Sequence, residues 1–208
     1  MNFTFRPLSE LCFQKIEQRD PRENPEVEFS YIDIGSINSR TKRIECPKKL
    51  KGAQASVRAR QVVCINDVLV STVRPNLNTV ALVPPDLNGQ ICSTGFCLLR
   101  CGPELLPDYL FAFVQTHIFV DALKEIVQGT LYPAVTDSQV FAQKIPWVEI
   151  TKQKSIASEF MAQFKALSTV HTAIQIQMNE AKSLSKKIRG QVQSELADFK
   201  RVRLGDAN

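Results

Sequence analysis

The chain is poor in the residues and motifs of self-contained catalysis. It carries two histidines, His117 and His171, both on segments of helical spacing and distant in sequence from the cysteines. Its six cysteines (Cys12, Cys46, Cys64, Cys92, Cys97 and Cys101) form no C-x-x-C pair. This excludes the usual zinc and dithiol spacings, so the thiols read as reduced, several of them as small core hydrophobes. Glycine-rich phosphate loops, G-x-S-x-G and H-E-x-x-H are absent, and no carboxylates cluster with metal spacing. Asp33, Asp67 and Asp137 are isolated acids beside turns, where a cap or turn acceptor is the default role. No active site, metal or cofactor of its own is expected.

Long apolar runs are missing too. No 18-residue stretch could span a bilayer, and MNFTFRPLSE lacks the charged-then-apolar order of a signal peptide. A soluble, cytoplasmic protein is expected, without membrane contact: one domain plus an appendage.

Proline is absent from Lys152 to Phe199, where Gly190 is the single glycine. Phe160, Phe164, Leu167, His171, Ile174, Met178, Ala181, Leu184, Ile188, Val192 and Leu196 recur every three or four residues, which places them on one helical face. Such a helix would extend roughly 65 Å, whereas a body of about 150 residues has a radius of gyration of about 15 Å. The body can cover only part of the stripe. A coiled-coil partner is expected for the rest, with Phe160, Phe164, Leu167, Ile174, Met178, Leu184, Ile188 and Val192 as a dimer interface. The boundaries are a body over 1–150, a helical spacer over 151–200 and a basic, flexible tail over 201–208.

The net charge of +5 is unevenly placed. Residues 1–150 hold 16 Lys/Arg against 16 Asp/Glu, and residues 151–208 hold 10 against 5. Within the balanced body, Arg40, Lys42, Arg43, Lys48, Lys49, Lys51, Arg58 and Arg60 share one segment with Glu45 as its only acid. A solvated loop and a phosphate-contacting surface both fit such a cluster.

Strands are predicted at Phe29–Ile34, Val57–Val63, Asp67–Val73, Thr79–Val83 and Phe96–Leu99. Arg74-Pro75-Asn76-Leu77-Asn78 reads as a hairpin connection. Leu106-Pro107-Asp108 opens a buried helix to about Val127, followed by a loop at Gln128–Pro133 and a short element around Ser138–Gln143. Without strand–helix–strand alternation, the class is α+β: a mixed-sheet domain followed by one long coiled-coil helix.

An ordered series of motifs then carries a resemblance. Tyr31-Ile32-Asp33-Ile34-Gly35-Ser36-Ile37 comes first, then Asn66 to Pro75, Ser93-Thr94-Gly95-Phe96 to Arg100, Gly129-x-x-Tyr132-Pro133, and Ile145-Pro146 leading through Gln153 and Ile156-Ala157 into the long helix. The series resembles the specificity (S) subunit of Type I restriction-modification enzymes, over about residues 8–200. The resemblance implies a non-catalytic target recognition domain that reads double-stranded DNA, and a helical spacer that binds modification (M) subunits. By the same resemblance the M subunit binds S-adenosylmethionine and methylates adenine, and a restriction (R) subunit is added for cleavage. Family members commonly hold two recognition domains and two paired helices. One of each here implies a half-sized form that dimerises.

Within that frame the basic segment would follow phosphates. Base readout would fall to Ser39 and Arg40, to Arg74, Asn76 and Asn78, and to Gln128, Thr130 and Tyr132, since Arg reads guanine and Asn or Gln reads adenine. A turn-stabilising role is the alternative at each. A stand-alone DNA-binding dimer, a coiled-coil scaffold and a truncated, inactive S subunit also remain open.

Overall fold

The apolar runs of the body form two four-stranded sheets. The computed structural model describes residues 4–129 and 131–205, with side chains through 196. In chain order the elements are β1 (Thr4–Pro7), α1 (Leu8–Leu11), β2 (Cys12–Phe13), β3 (Glu28–Ile32), β4 (Ile37–Asn38), β5 (Arg43–Ile44), β6 (Lys48–Lys51), β7 (Ala59–Val62), β8 (Val68–Ser71), β9 (Val80–Leu82), β10 (Ile91–Ser93) and β11 (Phe96–Cys101). They continue with α2 (Pro107–Phe113), α3 (His117–Ile126), α4 (Asp137–Phe141), β12 (Lys144–Trp147) and α5 (Ile150–Gly205). The α+β class with a long C-terminal helix is what the chain shows.

One sheet has the order β6-β3-β10-β7, with β3 and β10 parallel; the other runs β2-β11-β8-β9, antiparallel throughout. Strands β8 and β11 alternate between two cores. Val68, Val70, Cys97 and Leu99 join the helices α2 and α3, while Leu69, Phe96 and Leu98 face Ile32, Ala81 and Cys92. Burial on both faces is why these strands read as continuous apolar runs. The sheets are joined where β10 passes into β11 through Thr94-Gly95. Gln61, buried there, donates to the carbonyls of Ser93 (3.0 Å) and Phe96 (2.9 Å), and the Thr72 hydroxyl donates to that of Gly95 (3.0 Å).

The isolated acids serve structure. Asp67, 1% exposed, accepts from the Cys64 N–H and takes a two-pronged bond from Arg100 at 2.8 and 2.7 Å. Asp33 caps the turn Ile34–Ser36 through the Ser36 N–H. Asp137 lies in the first turn of α4, which Thr136 caps, and partial burial raises its carboxyl above the ordinary range.

Several boundaries differ from the sequence reading. The helix expected over 106–127 is two helices, because the Thr116 side chain caps α3 by accepting from the Phe119 N–H and donates to the Phe113 carbonyl (2.8 Å). Lys48–Lys51, expected within a basic loop, is an edge strand: Leu50 stands opposite Phe29, and the lysines project from an edge that charge keeps from pairing further. The strands around Arg74–Asn78 stop at Ser71 and resume at Val80.

Contacts divide the chain into two units, Met1–Phe164 and Lys165–Asn208. The first reaches past the boundary expected at 150 because α5 begins inside the core. Ala157 is buried, and Phe160 and Phe164 set their rings edge-on to Phe111 at 6.4 and 5.4 Å. These two phenylalanines, expected at a dimer interface, pack on their own body instead. In the second unit Leu167, Ile174, Met178, Leu184, Ile188 and Val192 are each between 45% and 59% exposed. The helix itself continues to Gly205, into the segment expected as a flexible tail.

Candidate nucleic-acid interface

The basic segment folds as a hairpin followed by the edge strand β6. Between β4 and β5, Asn38 Oδ1 accepts the N–H groups of Arg40 (3.0 Å) and Thr41 (3.2 Å). Glu45, its only acid, accepts from the Asn38 amide (2.9 Å) and the Thr41 hydroxyl (2.7 Å), so this carboxylate braces the turn. Ser39 and Arg40 are left exposed at the tip, and Arg43 on the flank.

Half of the basic set is engaged within the chain. Lys48 pairs with Asp33 and Lys51 with Glu26 (3.0 Å), both at the surface, where such pairs are weak. Although partial burial works the other way, hydrogen bonds from Lys48 and Ser36 hold the Asp33 carboxyl below its ordinary value. Arg60 bonds Asp20 (3.2 Å) and the Ala59 carbonyl (2.8 Å), and Asp20 is held down to about 2, chiefly by the Arg22 guanidinium. Lys42 turns inward: its ammonium donates to the Asn78 carbonyl and to Asn78 Oδ1 (2.9 Å), and burial pushes it down to about 8. Among the described residues, no side-chain partner is found for Arg40, Arg43, Lys49 or Arg58. Lys42 and Arg60, expected to contact phosphates, thus make structural bonds within the chain.

The hairpin turn is joined to a second loop. Asn78 accepts Lys42 and donates its amide to the Val114 carbonyl (2.7 Å), at the end of α2. Its oxygen and its NH2, the groups that would read adenine, each make a bond within the chain, which is the turn-stabilising role. Asn76 and the Arg74 side chain are exposed and, among the described residues, have no side-chain hydrogen-bond partner.

A third loop joins the second through its backbone. The Arg74 N–H donates to the Pro133 carbonyl (2.7 Å), Val73 pairs with Ala134, and the Val135 N–H donates to the Thr72 carbonyl (2.9 Å). Gly129 has φ +81°, which lets the chain turn sharply after α3. Gln128 is exposed, Tyr132 is 89% exposed, and Thr130 lies outside the described residues. Leu131, 94% exposed beside Tyr132, was not singled out from sequence; an apolar residue inside a glycine loop was the available signal.

Backbone strain collects in these loops. Among the described residues the non-glycine residues with positive φ are Lys42 (52°), Asn66 (68°), Arg74 (51°) and Asn78 (45°). Three of them lie in the joined turn and loop. Such conformations persist only where surroundings enforce them, and they concentrate at functional sites.

No three-residue grouping of His, Cys, Asp and Glu suited to a metal ion occurs among the described residues, and no helix among them is long and apolar enough to cross a membrane. Burial pushes the Cys92 and Cys97 thiols above their ordinary range, as a hydrogen bond to Cys12 and burial do for Cys101. Such thiols are poor nucleophiles.

No family model and no curated protein matches the chain. Solved structures do. The HsdS subunit from Thermoanaerobacter tengcongensis matches 81% of the chain with a TM-score of 0.74 and 39% sequence identity. The chain is HsdS-like. A second structure, concerning complex assembly and conformational transition of the type I R-M system, matches at a TM-score of 0.75 with the same identity and coverage. In both cases the HsdS-like chain spans 44% of the neighbour's length. The Type-I restriction-modification system S subunit from M. genitalium matches over 85% with a TM-score of 0.55 and 16% identity, a likeness of fold alone. The family resemblance carried by the ordered motifs thus has its structural counterpart. The HsdS-like body contains the sheet junction at Ser93–Phe96 and the Gly129–Pro133 loop in its first unit, together with the start of α5.

Proposed function

We propose that this chain is the DNA-reading specificity subunit of a Type I restriction-modification complex, and that it carries no chemistry itself. The observation that carries the reading is the joining of three exposed loops, Ser39–Lys42, Arg74–Asn78 and 128–135, by hydrogen bonds inside an HsdS-like body. Arg40, Arg43, Lys49 and Arg58 supply free cations for phosphates, and Lys48 and Lys51 can leave their surface partners for the same purpose. Ser39, Arg74, Asn76, Gln128, Thr130 and Tyr132 are the groups for base edges.

Catalysis belongs to partners in this reading. A methyltransferase subunit binds S-adenosylmethionine and modifies an adenine taken out of the stack, and a restriction subunit adds cleavage in the cytoplasm. The exposed stripe from Leu167 to Val192 supports pairing with a second copy. Two identical readers then face two half-sites.

The test is DNA binding by the chain assembled with its methyltransferase subunit. Lys49→Ala should weaken binding to all sequences and reduce the salt slope by about 0.9. Arg74→Ala should leave non-specific binding nearly intact and relax discrimination at particular base pairs by about 1–3 kcal/mol. Equal losses on every sequence from Arg74→Ala would remove it from base readout.

A further inference from the structure

We infer that Lys42 is a positioning residue of the DNA interface: by bonding the two oxygens of Asn78 it fixes the Ser39–Lys42 turn against the Arg74–Asn78 loop, and so sets which bases the loops reach. This rests on the DNA reading proposed above and adds a division of labour within it. By sequence alone Lys42 is one of eight similar cations. By geometry it is the one whose ammonium is turned onto neutral oxygens of the neighbouring loop.

Three observations carry the assignment. First, the ammonium has no ion-pair partner among the described residues; Glu45, the nearest acid in sequence, is held by Asn38 and Thr41. Its bonds join two loops rather than neutralising a charge. Second, both ends of the contact sit in the left-handed region, Lys42 at φ 52° and Asn78 at φ 45°. A residue with a Cβ holds that conformation only when its surroundings compensate, and here each residue's bonds fix the other. Third, the chain of contacts continues. The Asn78 amide donates to the Val114 carbonyl at the end of α2, and the Arg74 N–H donates to the Pro133 carbonyl. Lys42 thereby joins the hairpin turn to the second loop, which is itself bonded to the junction between α2 and α3 and to the third loop.

A phosphate-contacting lysine and a positioning lysine fail differently. The first loses a released counterion on every sequence, whereas the second keeps the counterions and loses registration between loops. The experiment uses the chain assembled with its methyltransferase subunit, and measures the salt dependence of binding to a random-sequence duplex and to a duplex selected from a random pool. Lys42→Met should keep the wild-type salt slope on random DNA while the ratio of selected to random affinity falls at least about tenfold, since misplaced base contacts typically cost that much or more each. Asn78→Gly, which tolerates the same backbone conformation, should reproduce that loss, and the double variant should be no worse than either single one.

Lys42→Arg decides the matter if the methionine variant does not fold. It keeps a cation for phosphate but brings a planar fork unsuited to the same pair of oxygens, so discrimination should fall with the slope unchanged. A salt slope lowered by about 0.9 in Lys42→Met, additive losses in the double variant, or wild-type discrimination in Lys42→Arg would each overturn the positioning role while leaving DNA reading in place. Failure of the wild-type complex to prefer any selected sequence would overturn both.

Discussion

Gln153 Oε1 accepts the backbone N–H of Leu106 at 2.9 Å, fastening the start of the long helix to the residue that precedes α2. The same side chain, fully buried, donates to the carbonyls of Glu104 (2.9 Å) and Val148 (2.8 Å). Both donors and the acceptor of one amide are thus matched to backbone groups of two separate segments. Gln153→Leu leaves those groups without partners, and the unfolding free energy should drop by about 2–4 kcal/mol. Urea denaturation followed by circular dichroism measures it, and a change within about 0.5 kcal/mol would show that water replaces the side chain.

The aromatic start of α5 and the stripe beyond it should separate in a mutational comparison. Phe164→Ala removes an edge contact to Phe111 and should destabilise the body by about 2–4 kcal/mol. Leu167→Asp with Ile174→Asp changes exposed positions of the second unit, so the folded chain should tolerate it while self-association is lost. Sedimentation reads the second effect. A double variant that still associates like the wild type would move the interface away from this stripe.

How much of this was legible in the sequence depended on the range of the contact. The stripe of α5 follows from local periodicity and the strands β8 and β11 from continuous apolar runs, and the Gln128–Pro133 segment reads as the loop that the structure has after α3. The break between α2 and α3 was hidden because Val114-Gln115-Thr116 holds neither glycine nor proline, only a threonine that caps. Strand β6 was hidden by its lysines, whose exposed edge position overrides low strand propensity. Phe160 and Phe164 share the phase of the stripe below them, so only packing against Phe111 separates core from seam. The Lys42–Asn78 contact spans 36 residues and leaves no periodic trace, which is why a structural lysine read as one more cation.

Lys42 also makes a pH signature. Its ammonium titrates at about 8 in the folded chain against an ordinary 10.5, because burial disfavours the charged form. Between those values the unfolded chain holds a proton that the folded chain has released, so the contribution of Lys42 to stability rises with pH across that window. Relative to Lys42→Met, the wild type should therefore gain stability from pH 8 to pH 10.5. Parallel urea midpoints that keep a constant difference across the window would place the ammonium in a solvated setting.

The central claim, that this chain directs a methyltransferase to DNA through one recognition domain used twice, is tested most directly by methylome sequencing of cells expressing it with its methyltransferase subunit. Two identical domains related by a two-fold axis read the same half-site on opposite strands. The account predicts adenine methylation at an interrupted palindrome, absent when the chain is omitted. An asymmetric bipartite motif, or methylation that does not depend on this chain, would contradict it.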